Sequence, residues 1–237
     1  MAEANGAENP DPRKATQITI LGNRRTGKSE LGYVLFDSYP FDRIAVDPPG
    51  DLKMPEDTLR LDTVPPRWPG AAYERAMGER KKRQTLYYPP DFHSPTYLQD
   101  MDDAVGLAYA HGNCCLLFDE VHELAQANRT PPHMRRMLRQ GRHRNVTTIY
   151  MTQRPLTIDP LIIAHADYLY IFKLRNPADR KRVAESMGWD QRELDAALAE
   201  LGQYEYLRFQ ADATGGDGDL AHFPALPSHM IRGHSNH

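Results

Sequence analysis

At 237 residues the chain fits one large domain or two small ones, and its 40% apolar side chains are enough for a packed core. A net charge of −3 excludes a histone-like polycation, so any hold on nucleic acid must come from a local patch or from a small patch repeated around a ring. Its two cysteines, Cys114 and Cys115, stand side by side in an apolar run, which excludes a disulfide framework and points to a reducing, intracellular setting.

In chain order, the polar and acidic start MAEANGAENPDPRK reads as a disordered lead over 1–14 and does not resemble a signal peptide. TQITIL (16–21) reads as a strand and Lys28 to Ser38 as a helix. RIAV (43–46) is a strand that stops at DPPGD (47–51), and TLRLDT (58–63) is a further strand candidate. VPPRWPG (64–70) must be loop, because proline fixes φ and lacks an amide donor. Residues 71–83 read as a short helix closing on ERKKR, and TLYY (85–88) as a strand. A helix over 95–111 leads into CCLLFDE (114–120), a buried strand ending in acid. The arginine-rich stretch 131–144 starts helical, and TTIYMTQ (147–153) and YLYIFKL (168–174) are strands. Two helices, roughly 177–187 and 190–201, precede a last strand, YEYLRFQ (204–210).

Strands separated by helices at this spacing predict an α/β fold with a mostly parallel sheet covered on both faces. The core is expected over 15–210, with 211–237 a loosely ordered tail. Its histidines His222, His229, His234 and His237 lack the spacing and carboxylate company of a zinc site. Apolar runs of at most about six residues are too short to cross a bilayer. A soluble, cytoplasmic protein is expected.

Gly22-x-x-x-x-Gly27-Lys28-Ser29 has the full Walker A spacing, between a strand and a helix as its chemistry requires. The glycines let successive amides curl inward toward phosphate oxygens, and the following helix adds its positive end. The phosphate-binding stretch is thus Gly22, Asn23, Arg24, Arg25, Thr26, Gly27, Lys28, Ser29 and Glu30. Lys28 supplies charge for the β- and γ-phosphates of ATP, and the Ser29 hydroxyl a ligand for Mg2+. Asp119, ending the CCLLF strand, is the second expected Mg2+ partner, and Glu120 the carboxylate that polarises the attacking water. Together they read as an NTP-hydrolysing site in a RecA-like P-loop NTPase. Gln153, ending the next strand, is placed to sense or orient that water if the strands are neighbours.

Walker A, DPPGD, LLFDE and the GRHRNVTTIYMTQRP stretch (141–155) together resemble the HerA/FtsK superfamily of DNA-pumping ATPases over about residues 16–175. The specificity lies in TQRP and its arginines. The resemblance implies a homo-oligomeric ring, pentamer or hexamer, that moves double-stranded DNA through its centre. Within the superfamily the chain resembles the small packaging ATPases of tailless, membrane-containing phages, which act in the host cytoplasm or at a capsid or portal vertex. It also implies that an arginine reaches a neighbour's γ-phosphate. Arg142 matches best, followed by Arg144 and Arg139, although a solvated basic helix face is the other reading. Asp47 would lie near the nucleotide, or simply end its strand. GERKKRQ (78–84) reads either as a DNA-contacting pore stretch or as cations at a helix C-terminus. A helicase or strand-exchange ATPase, and a slow nucleotide-dependent assembly switch, are the competing functions.

Overall fold

A computed structural model describes residues 14–69, 83–211 and 218–227. Nine strands form one sheet: β1 (Gln17–Leu21), β2 (Arg43–Val46), β3 (Leu59–Arg60), β4 (Thr85–Tyr88), β5 (Cys114–Phe118), β6 (Val146–Thr152), β7 (Tyr168–Ile171), β8 (Tyr206–Gln210) and β9 (Asp219–Phe223). Their spatial order is β3-β4-β2-β5-β6-β1-β7-β8-β9. All pairings from β3 through β7 are parallel, and β8 and β9 add on antiparallel. The described helices are α1 (Lys28–Ser38), α2 (Tyr97–His111), α3 (Pro132–Gln140), α4 (Leu161–Ala164), α5 (Pro177–Met187) and α6 (Gln191–Glu200). This is the mostly parallel, helix-flanked α/β sheet expected.

The central strands are apolar or uncharged throughout because both faces are covered: every residue of β1, β5 and β6 is buried. Successive side chains point to opposite faces. Cys114, Leu116, Phe118 and Tyr150 therefore join a core with Met101 of α2, Met134 of α3 and Val183 of α5. Cys115, Leu117, Ile149 and Met151 join a second core with Leu31 and Phe36 of α1. Adjacency along one strand thus puts Cys114 and Cys115 in different cores.

Helix α1 has no basic residue in its last turn. Its final carbonyls are served from outside by the buried Arg43, which donates to Phe36 O at 2.9 Å and Asp37 O at 2.7 Å. Arg83, at the end of the predicted basic run, donates to Asp37 O and Tyr39 O. The rest of that run, residues 71–82 of the predicted helix, the lead through residue 13, and His229, His234 and His237 lie outside the described residues.

One element departs from the chain-order reading, which ends its strands at 210. Strand β9 pairs with β8 from Tyr206↔Phe223 to Gln210↔Asp219. Asp219 and His222 are exposed and its other residues only half-buried, so this edge strand lacks the apolar run that marks the central ones.

Candidate active site

The phosphate loop begins where β1 ends. Gly22 N donates to Thr152 O of β6 and Asn23 N to Lys173 O just beyond β7, so the loop hangs from the strands on either side. A Cβ on Gly22 would stand 2.7 Å from Phe172 Cβ, which explains glycine there. Asn23 accepts from Arg175 N through its side chain, and Thr26 Oγ1 donates back to Asn23 O, so these two shape the loop itself. Gly27 has φ 99°, a conformation that glycine adopts without steric cost. As the N-cap of α1 it offers no side chain to the helix amides, whereas Asn176 caps α5 and Asp190 caps α6. The free first turn of α1 is therefore open to an anion.

Helix α1 brings Lys28 under the ends of β5 and β6. Lys28 is only 5% exposed. Its Nζ lies 2.9 Å from Asp119 Oδ1 and 3.2 Å from Glu120 Oε1. Burial works against its charge, but the two carboxylates prevail and raise its pKa. Glu120 has left-handed backbone, φ 48° and ψ 50°, and its own amide donates to Asp119 Oδ1 at 2.8 Å. Its other oxygen, Oε2, is 3.1 Å from His122 Nδ1 and accepts from Gln153 N at 3.2 Å. Burial alone raises the Glu120 pKa. The His122 hydrogen bond and the Lys28 charge outweigh that and bring it down to about 2.

These groups share a cleft of about 750 Å3. Of the predicted residues, Arg24, Arg25, Gly27, Lys28, Ser29, Glu30, Asp119, Glu120 and Gln153 line it. Strand β6 does lie beside β5, as the Gln153 expectation required. Asp47 is not in the lining. It is fully buried at the end of β2, where Oδ2 accepts from Tyr87 Oη and Leu52 N, each at 2.8 Å. Burial raises its pKa. By holding this turn Asp47 positions Pro49, Asp51 and Leu52, which do face the cleft.

The sequence reading missed an apolar wall: Phe172, Tyr204 and Leu226. Phe172 is buried, whereas Tyr204 is 45% exposed and has φ 65°. Both rings flank the loop, at 3.3 and 3.6 Å from where a Gly27 Cβ would be. Their only sequence signal is an aromatic residue just beyond β7 and another before β8; nothing local marks Leu226, which β9 delivers.

Arg139, Arg142 and Arg144 stand at the opposite end of the strands, before β6 begins. At about 3.3 Å per residue the seven-residue strand separates them from Gln153 by roughly 20 Å. Arg142 Nη2 donates to His165 O at 2.8 Å and pairs with Asp167 at 2.9 Å. Arg144 donates to Tyr109 O and Ala110 O, the closing carbonyls of α2. Arg139 is exposed and makes no hydrogen bond or ion pair among the described residues. With Arg142 it lines a second cleft of about 480 Å3.

No helix among the described residues is long and apolar enough to cross a membrane. No protein-family model matches the sequence, and neither does any curated protein. Solved structures do match the fold. The chain is similar to the genome packaging NTPase B204 from Sulfolobus turreted icosahedral virus 2 in complex with AMP, with a TM-score of 0.65 and 16% identity over 92% of this chain and 100% of that one. It is similar to B204, the DNA-packaging ATPase from Sulfolobus turreted icosahedral virus, with a TM-score of 0.61 and 17% identity over 91% and 100%. VirB4 of Thermoanaerobacter pseudethanolicus gives a TM-score of 0.59 and 11% identity over 93% and 92%. The fold is that of a P-loop NTPase.

Proposed function

We propose that the chain is an ATPase whose hydrolysis drives movement of double-stranded DNA, as a HerA/FtsK-type motor that packages a viral genome into a preformed capsid. The observation that carries the reading is the convergence of Lys28, Asp119, Glu120 and Gln153 in one cleft beneath an uncapped helix N-terminus. The likeness in fold to two packaging NTPases supports the coupling to DNA.

The residues suit a nucleotide triphosphate with Mg2+. Ser29 and Asp119 offer hard oxygen ligands of the kind Mg2+ takes when phosphates complete its shell. With Mg2+ held by Ser29 and Asp119, the site would gain positive charge to offset the charge that develops on the γ-phosphoryl group. Lys28 exchanges its two carboxylates for phosphate oxygens. As Lys28 turns to the phosphates, it leaves Glu120 Oε1, and the freed carboxylate oxygen orients the attacking water. Gln153 senses that water from the adjoining strand end. Phe172, Tyr204 and Leu226 form the wall against which the base packs.

The same reading calls for a ring of five or six copies in which an arginine of one subunit completes the next subunit's site. Arg139 has hydrogen-bonding capacity to spare for this, whereas Arg142 and Arg144 are engaged within their own chain. The motor works in the host cytoplasm and docks at a capsid or portal vertex. The test is the ATPase rate with and without long duplex DNA, for the wild type and Glu120→Gln, at concentrations that permit ring assembly. Strong duplex stimulation, abolished in the variant, is expected. A slow rate indifferent to DNA would point instead to an assembly switch.

A further inference from the structure

We infer that His122 is the positioning residue for Glu120, holding its carboxylate to the end of β6 once the phosphates have drawn Lys28 away. The inference rests on the reading of Glu120 as the group that orients the attacking water.

Glu120 needs holding. It stands in the turn two residues beyond β5, and its left-handed backbone costs about 1 kcal/mol for a residue other than glycine. Among the described residues its carboxylate has three donors. Lys28 meets Oε1; His122 Nδ1 and the Gln153 amide meet Oε2. Lys28 is the one that a triphosphate competes for. The Gln153 amide is a main-chain group at the end of a strand. His122 is therefore the only side chain among these donors that can keep Glu120 aimed while the phosphates occupy Lys28.

The imidazole is itself well fixed. It follows Val121, which is fully buried in the core, within the 3-10 turn Val121–Glu123. Nδ1 lies 3.2 Å from Thr152 Oγ1 as well as 3.1 Å from Glu120 Oε2. Nε2 lies 3.3 Å from Glu123 Oε1 on the outer side. Thr152 Oγ1 also accepts from Arg154 N, and Thr152 O accepts from Gly22 N at the root of the phosphate loop. His122 thus joins the acid after β5, the sensing end of β6 and, through one residue, the phosphate loop. A shift of the β6 end on nucleotide binding or on contact with a neighbouring subunit passes through this ring to the Glu120 carboxylate.

The experiment compares His122→Ala, His122→Phe and His122→Asn with the wild type and Glu120→Gln in steady-state ATPase assays on the full chain with duplex DNA. Thermal melting and binding of a fluorescent ATP analogue are followed in parallel. Phenylalanine fills the ring's volume without its hydrogen bonds, whereas the asparagine amide nitrogen falls where Nδ1 was. Ala and Phe are expected to lower kcat by about 10- to 100-fold with KM for ATP and analogue binding changed by less than about twofold. Asn is expected to recover most of the rate. Wild-type kcat in His122→Phe, or Asn no better than Phe, overturns the inference while leaving the function intact. Full activity in Glu120→Gln removes both, because Glu120 then has no water to orient.

Discussion

Strand β6 has charged neighbours at both ends, and the two ends use them differently. At its C-terminal end Lys28, Asp119 and Glu120 share one cleft, with His122 against Glu120, and on the proposed reading they satisfy one another only until a nucleotide arrives. At its N-terminal end Arg142 and Arg144 sit on main-chain carbonyls and on Asp167, partners that no ligand needs to displace. Asp167 in turn accepts from Gln17 N, which ties this end to the start of β1. Charge density alone would rank the arginine cluster first. What separates the two ends is whether the partners are exchangeable.

The comparison is broken most directly at Lys28. Lys28→Ala is expected to lower kcat by about 10³-fold, measured as phosphate release under saturating ATP, because the charge there is to act on the transferred group. Glu120→Gln should follow with a loss of about 10²- to 10⁴-fold and nucleotide binding retained in a filter assay. A rate unchanged in either variant would move the chemistry out of this cleft.

Tyr204→Ala probes the apolar wall separately from the phosphate grip. It should raise KM for ATP by about tenfold, the value of one stacked base, while inhibition by tripolyphosphate stays the same. Equal weakening of both ligands would mean that Tyr204 shapes the loop and not the base position.

At the opposite end of β6 the expected signature is reversed. Arg144→Ala should lower stability by about 1 kcal/mol in a denaturant melt, through two exposed hydrogen bonds to the end of α2, with little change in turnover. Arg139→Ala should leave the melt unchanged and lower the rate only where rings assemble. If the two signatures are exchanged, the arginine that serves the neighbouring subunit is Arg144.

The acid limb reads the same end of β6 through stability instead of turnover. Glu120 ionises at about 2 in the folded chain against an ordinary 4.5, so its contribution is fully present above pH 4.5 and is lost as pH falls toward 2. Melting temperatures of the wild type and Glu120→Gln should therefore converge over that window. Parallel curves would show that Glu120 contributes no pH-dependent stability.

By itself the sequence determined most of the sheet and the phosphate grip. Strands β2 and β4 and helix α1 match their predicted bounds, and β1, β5 and β6 are recognisable because strands buried on both faces must be apolar along their length. The loop Gly22–Ser29 was legible because the phosphate grip proposed for it needs particular residues at consecutive positions. Tertiary structure decided the rest. Glu120 and His122 are neighbours in the chain, but what they do depends on Thr152 and Gln153, about thirty residues on. The wall of Phe172, Tyr204 and Leu226 comes from three separate segments, and β9, which brings Leu226 in, is a half-buried edge strand without an apolar signature. The three arginines were legible as a cluster, yet only the packing of α2, α4 and β7 against them shows which have partners. A local pattern records which faces a segment buries. It does not record which distant segment supplies the other half of a hydrogen bond.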